Sequence, residues 1–129
     1  MKLILGMGCD RGASLETLST AVDQALAQID QTRKAVTALA SIDKKSDEIA
    51  LLALAEQHGW SLHFFSAEQL AKVEVPNPSD VVLKYMGTPA VAEAAAILAA
   101  KKSLRFLLVE KYRYLGTDGK NATVSIVRG

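Results

Sequence analysis

Four short stretches carry the residue types that do chemistry. GMGCDRGAS, Gly6–Ser14, sets a cysteine, an aspartate and an arginine among glycines. DKKSDE, Asp43–Glu48, alternates carboxylates with lysines. FFSAEQL brings Ser66 to the head of a short helical pattern, and EKYRY brings Lys111 among tyrosines. Arg11, Lys44, Lys45 and Lys111 are suited to holding a carboxylate or phosphate, with helix-start amides beside them. Asp43 or Glu48 are candidates for activating water, with Lys45 and loop amides to stabilise an oxyanion. Cys9 is either a nucleophile, activated by a helix start and Arg11, or a small filler beside the turn.

Each stretch also has a plain structural reading. GMGCDRG is neither the dinucleotide fingerprint nor a Walker loop, because its third glycine is misplaced and no Walker lysine follows. Arg11 alone reads as a solvated side chain, and DKKSDE alone as a capped helix start with surface charge. His58 falls in a last helical turn, where it complements the dipole, and His63 falls in a strand pattern. They share no ligand spacing with a third group, so no metal site and no cofactor is expected. Trp60, Phe64 and Phe65 read as core aromatics.

The elements that must position these residues follow from periodicity. Lys2–Met7 reads as a buried strand, and Ser14 caps a helix carrying Leu15, Leu18, Val22, Ala25, Leu26 and Ile29 at helical spacing. Ala35–Ile42 is a second strand, followed by a helix from Ser46 or a neighbour, with Asp47 and Glu48 at its positive end and Gly59 as its stop. Trp60–Phe65 is a third strand, and Ser66 with Gln69 has capping-box spacing. VEVPNPSD is a connector, Ser79–Met86 a helix, and Thr88 with Pro89 opens the alanine-rich helix TPAVAEAAAILAAKK. LRFLLVEKY and NATVSIV are the last strands, joined as a hairpin through LGTDGKN.

Strands alternating with helices imply an α/β fold: three layers, α/β/α, with a mostly parallel sheet of about five strands and the last strand antiparallel. In such a sheet, ligands bind where the strand-to-helix loops emerge, at the carboxyl edge. The candidate loops therefore share one side and form a positive rim.

The 129 residues fit a single domain, 1–129. With 22% charged residues and a net charge of +1, the composition implies no bulk attraction to nucleic acid or to an anionic membrane. A single cysteine excludes an intrachain disulfide and, with no membrane-length apolar run, points to the cytoplasm.

GMGCDRGAS, ASIDKKSDEIALLALAEQHG, FFSAEQLAKVEVPNPSDVV, GTPAVAEAAAILAA and NATVSIVR together resemble the cobalamin-biosynthesis family formed by CobE and the C-terminal domain of CbiG. The resemblance implies an α/β domain that handles a corrin or precorrin intermediate, with or without cobalt, around ring contraction. It also implies other cobalamin-pathway enzymes as partners. The longer relatives are cobalt-precorrin-5A hydrolases, which open a lactone and release acetaldehyde; the stand-alone type binds a tetrapyrrole.

Against the family's Gly-x-Gly-Cys-Arg-Arg-Gly loop, Gly6, Gly8, Cys9, Arg11 and Gly12 match, while Asp10 replaces an arginine. In the second loop Ile42, Asp43, Lys45, Asp47 and Glu48 match, and Lys44 replaces an apolar residue. Asn77, Pro78, Ser79, Glu93 and Lys111 also match. The site expected from spacing and resemblance together comprises Asp43, Lys45 and Glu48 as catalytic groups. Gly8, Cys9, Arg11, Gly12, Ser14, Lys44, Asp47, Ser66 and Lys111 complete it as ligand-binding residues.

Overall fold

A computed structural model describes residues 1–76 and 91–129. Five strands, β1 (Leu3–Cys9), β2 (Val36–Ile42), β3 (Ser61–Phe65), β4 (Leu107–Leu115) and β5 (Asn121–Arg128), form one sheet in the order β3-β2-β1-β5-β4. Among the described residues the α-helices are α1 (Leu15–Ala27), α2 (Ile49–His58), α3 (Ala67–Ala71) and α4 (Ala92–Ala100). β1, β2 and β3 pair in parallel; β5 runs antiparallel to both β1 and β4. The sheet is therefore mixed, and β4 points the same way as β1. The ends of β1, β2, β3 and β4 and the start of β5 all lie along one carboxyl edge.

The pleat explains the three layers, because alternate residues of a strand face opposite sides. Leu3, Leu5 and Met7 of β1 pack with Leu18, Ala21 and Val22 of α1 and with Leu51 and Leu54 of α2. On the other face Ala40 and Ile42 of β2 meet Leu70 of α3 and Val91, Ala94 and Ala95 beside and within α4. The first six residues of α4, Ala92–Ile97, are buried, so its lack of a polar face reflects enclosure. Among the described residues no helix is long and apolar enough to cross a membrane.

Gly6 is what lets α4 lie so close. A Cβ built on Gly6 would sit 1.8 Å from the carbonyl oxygen of Ala92. The sheet and the first turn of α4 thus touch backbone to side-chain-free backbone.

Several expected boundaries move. β1 runs on to Cys9, so Gly6 and Gly8 are strand residues paired with Ser125 and Thr123, not part of a glycine turn. Only Gly12, at φ 80°, makes the turn. A 3-10 turn at Asp43–Lys45 precedes α2, which starts at Ile49 with Glu48 as its N-cap residue. Another at Leu104–Phe106 delays β4 to Leu107. Lys111 therefore sits mid-strand, since pairing with β5 continues to Leu115. Trp60 is buried, whereas Phe64 and Phe65 are half-buried because β3 is an edge strand. His58 does not serve the helix dipole as a cation. It accepts a 2.9 Å hydrogen bond from Arg33 Nη1 and stacks on Trp60, and burial together with Arg33 pushes its pKa below the ordinary value. The helix expected at Ser79–Met86, and Thr88 and Pro89 ahead of α4, lie outside the described residues.

Candidate functional site at the carboxyl edge

The first and second loops meet at the edge through Arg11. Its Nη2 donates to the carbonyl oxygen of Lys44 at 2.7 Å, and its Nη1 lies 2.6 Å from Asp47 Oδ1 and 3.1 Å from Glu48 Oε1. Arg11 and Asp47 are both exposed, whereas Glu48 is 4% exposed. The hydrogen bond between them raises the Arg11 pKa and lowers that of Asp47. Arg11 and Lys45 thus belong to one cluster, as the topology requires, but the Arg11 charge is already paired within the protein.

The same holds for the amides at the start of α1. The Gly12 N–H donates to Glu48, 3.3 and 3.2 Å from its two carboxylate oxygens. The Ser14 N–H donates to Asp118 Oδ2 at 2.9 Å, and the Ser14 hydroxyl accepts from Thr17 N–H as the N-cap. Asp118 also accepts the Lys120 N–H, and these backbone bonds, the Ser14 one foremost, pull its pKa down to about 2. The helix start expected to present free amides to an anion has recruited carboxylates from the α2 cap and from the β4–β5 turn. Asp10, the departure from the family pattern, accepts both the backbone N–H and the side-chain amide of Asn121, fastening the end of β1 to the start of β5.

The remaining expected residues divide between this cluster and its margins. Lys45 is 9% exposed, and its charge bears on Cys9 and Asp47. Cys9 is half-buried, and burial pushes its thiol up to about 11, outweighing the pull of Lys45. A thiol so protonated is a poor nucleophile at neutral pH, which favours the filler reading. Asp43 is exposed at the head of its turn, and Lys44 is exposed beside it. A Cβ built on Gly8 would meet the Val91 side chain at 3.8 Å, ordinary contact on the α4 side. Ser66 spends its hydroxyl and its N–H on the two bonds of the capping box with Gln69. α2, by contrast, begins with no side-chain cap. Among the described residues no three His, Cys, Asp or Glu side chains gather as a metal would need.

Lys111 lies elsewhere, on the α4 side. Its Nζ is 3.3 Å from Oε2 of Glu93, a residue 2% exposed in the first turn of α4. Sequence reasoning matched Glu93 to the family but gave it no role. The available signal was a lone acid in an otherwise apolar helix.

The family model described as "Cobalamin synthesis G C-terminus" matches residues 3–127. The chain belongs to this family. Among curated members it is 40% identical over 96 residues to cobalt-precorrin-5A hydrolase of Priestia megaterium, an alignment covering 74% of this chain. It spans only 26% of that relative's length. It is 32% identical over 111 residues to protein CobE of Sinorhizobium sp., covering 84% of this chain and 71% of that protein. The crystal structure of a CobE, described as a protein of the cobalamin (vitamin B12) biosynthetic pathway, superposes with a TM-score of 0.83 at 33% identity. That superposition covers 99% of this chain and 90% of the other. Cobalamin biosynthesis protein ChiG of Agrobacterium tumefaciens superposes at 0.65 and 27% identity, over 96% of this chain and 95% of its own.

Proposed function

We propose that this protein binds a carboxylate-rich corrin precursor at the carboxyl edge of its sheet, as a cytoplasmic component of cobalamin synthesis. The observation that carries the reading is the meeting of Arg11, Lys45, Asp47 and Glu48 from two loops more than thirty residues apart. An exposed Arg–Asp pair is weakly stabilising at most, because water competes for both partners. A ligand carboxylate can therefore replace Asp47 on the Arg11 guanidinium at little cost and keep the fork geometry. Glu48 holds the first loop in place while that exchange occurs, through Gly12 N–H and Arg11. Lys45, buried beneath the rim, adds charge that solvent screens poorly.

Titration with hydrogenobyrinic acid, a metal-free corrin with carboxylate side chains, tests this. Binding by the wild type and a loss of about tenfold in Arg11→Ala and in Lys45→Ala is expected. Equal affinity in all three proteins removes the site.

A second reading is lactone hydrolysis, favoured by the 40% identity to a protein named as a hydrolase. Asp43, exposed and with no side-chain hydrogen bond among the described residues, is then the better base than Glu48, whose carboxylate is occupied by Gly12 and Arg11. Acetaldehyde release from cobalt-precorrin-5A by this chain, lost in Asp43→Asn, is the expected result of that reading. Ligand binding without release opposes it.

A further inference from the structure

The Glu93–Lys111 pair lies on the other face of the sheet from α1 and α2. Glu93 sits beside Ala92, whose carbonyl oxygen lies over Gly6, so the same close approach that seats α4 also fixes Glu93 next to β1. Lys111 reaches it from β4, with a side chain 16% exposed. The ammonium stands 3.3 Å from Oε2, yet that oxygen, fully buried, takes part in no hydrogen bond among the described residues. Burial pushes the Glu93 carboxyl above its ordinary range; Lys111 pulls it back and Glu110, also on β4, pushes it further up.

A buried carboxylate oxygen without a hydrogen-bond donor is costly, and native structures hold few of them. A pair kept only for stability gains most when every lone pair is bonded, and an apolar pair of equal volume often does as well. An acceptor paired only by charge with Lys111, and unfilled by hydrogen bonds among the described residues, points to a role for Glu93 beyond fastening α4.

We propose that Glu93 is a ligand-binding residue of the corrin site. Its Oε2 accepts a hydrogen bond from an N–H or O–H group of the precursor, and Lys111 acts as a positioning residue that holds the carboxylate in place. This inference rests on the reading given under Proposed function, and assigns that ligand a hydrogen-bond donor on the α4 side, besides its carboxylates on the Arg11 side.

Hydrogenobyrinic acid is the probe, titrated at pH values rising from the ordinary glutamate value of 4.5 upward against the wild type, Glu93→Met, Glu93→Gln and Lys45→Ala. Glu93→Met keeps the volume and removes both charge and acceptor. It is expected to melt no lower than the wild type yet bind about tenfold more weakly, a combination that a purely structural Glu93 does not produce. Wild-type affinity is expected to rise with pH as Glu93 ionises, and Glu93→Gln to lose that slope while retaining part of the affinity. Wild-type affinity and slope in Glu93→Met overturn the inference. If Glu93→Met does not fold, an unchanged slope in Glu93→Gln overturns it. Weakened binding in Lys45→Ala alone leaves the site standing without Glu93, and no binding by the wild type removes both.

Discussion

The two charged clusters solve opposite problems. Around Arg11, the exposed guanidinium pairs with exposed Asp47 and with buried Glu48, and the loop amides of Gly12 and Ser14 pair with Glu48 and Asp118. Around Glu93, charge is enclosed by an apolar helix and the sheet, and one oxygen has no hydrogen bond among the described residues. Satisfied charge at the surface is cheap to rearrange, whereas unsatisfied charge in the interior is expensive to keep. In the proposed reading the first cluster exchanges partners, and the second is maintained at a cost to stability. That contrast, more than the number of cations, distinguishes the two ends of the proposed site.

The harshest way to break the contrast is Gly6→Ala. A methyl group 1.8 Å from the Ala92 carbonyl cannot be accommodated, so α4 must lift and carry Glu93 with it. A loss of roughly 3 kcal/mol in urea unfolding is expected. Glu48→Ala attacks the other cluster by leaving the Gly12 amide without its acceptor. It should cost roughly 1–3 kcal/mol and weaken corrin binding through a loosened first loop.

Asp118 sharpens the comparison through pH. Its pKa is about 2 in the folded protein, below the ordinary aspartate value of 3.8. Its contribution is therefore present above about pH 4 and lost as pH falls towards 2. Asp118→Asn should be less stable than the wild type above about pH 4, where that contribution is present, and converge with it as pH falls towards 2, so that its acid limb is flatter. The smallest change in stability belongs to Asp47→Ala. Its melting temperature should stay close to the wild type, while affinity for hydrogenobyrinic acid rises, because Arg11 no longer has to exchange partners.

Much of the scaffold was legible in the sequence, and for identifiable reasons. Period-2 and period-3.6 patterns located the strands and helices, and their alternation gathered Arg11 and Lys45 on one edge before any coordinates. Ser14 and the Ser66–Gln69 box appear where their spacing put them. The partners of those residues were not legible, because they are set by contacts distant in the chain. Glu48 reaches Gly12 across 36 residues and Asp118 reaches Ser14 across 104, so helix amides that look free in the sequence are taken. Gly6 read as part of a turn because its real role, admitting Ala92, needs the path of α4 over β1. The role of Glu93 was not legible because its partner, Lys111, lies on a strand distant in the chain.

The central claim is that ligand carboxylates are held at the carboxyl edge by Arg11 and Lys45. A crystal structure with hydrogenobyrinic acid bound tests it most directly. The account predicts the macrocycle over the loops following β1 and β2, with a carboxylate on the Arg11 guanidinium in place of Asp47. A macrocycle seated elsewhere, such as the hollow lined by Asp23, Leu26, Gln31 and Arg33, with the Arg11–Asp47 pair intact, would contradict it.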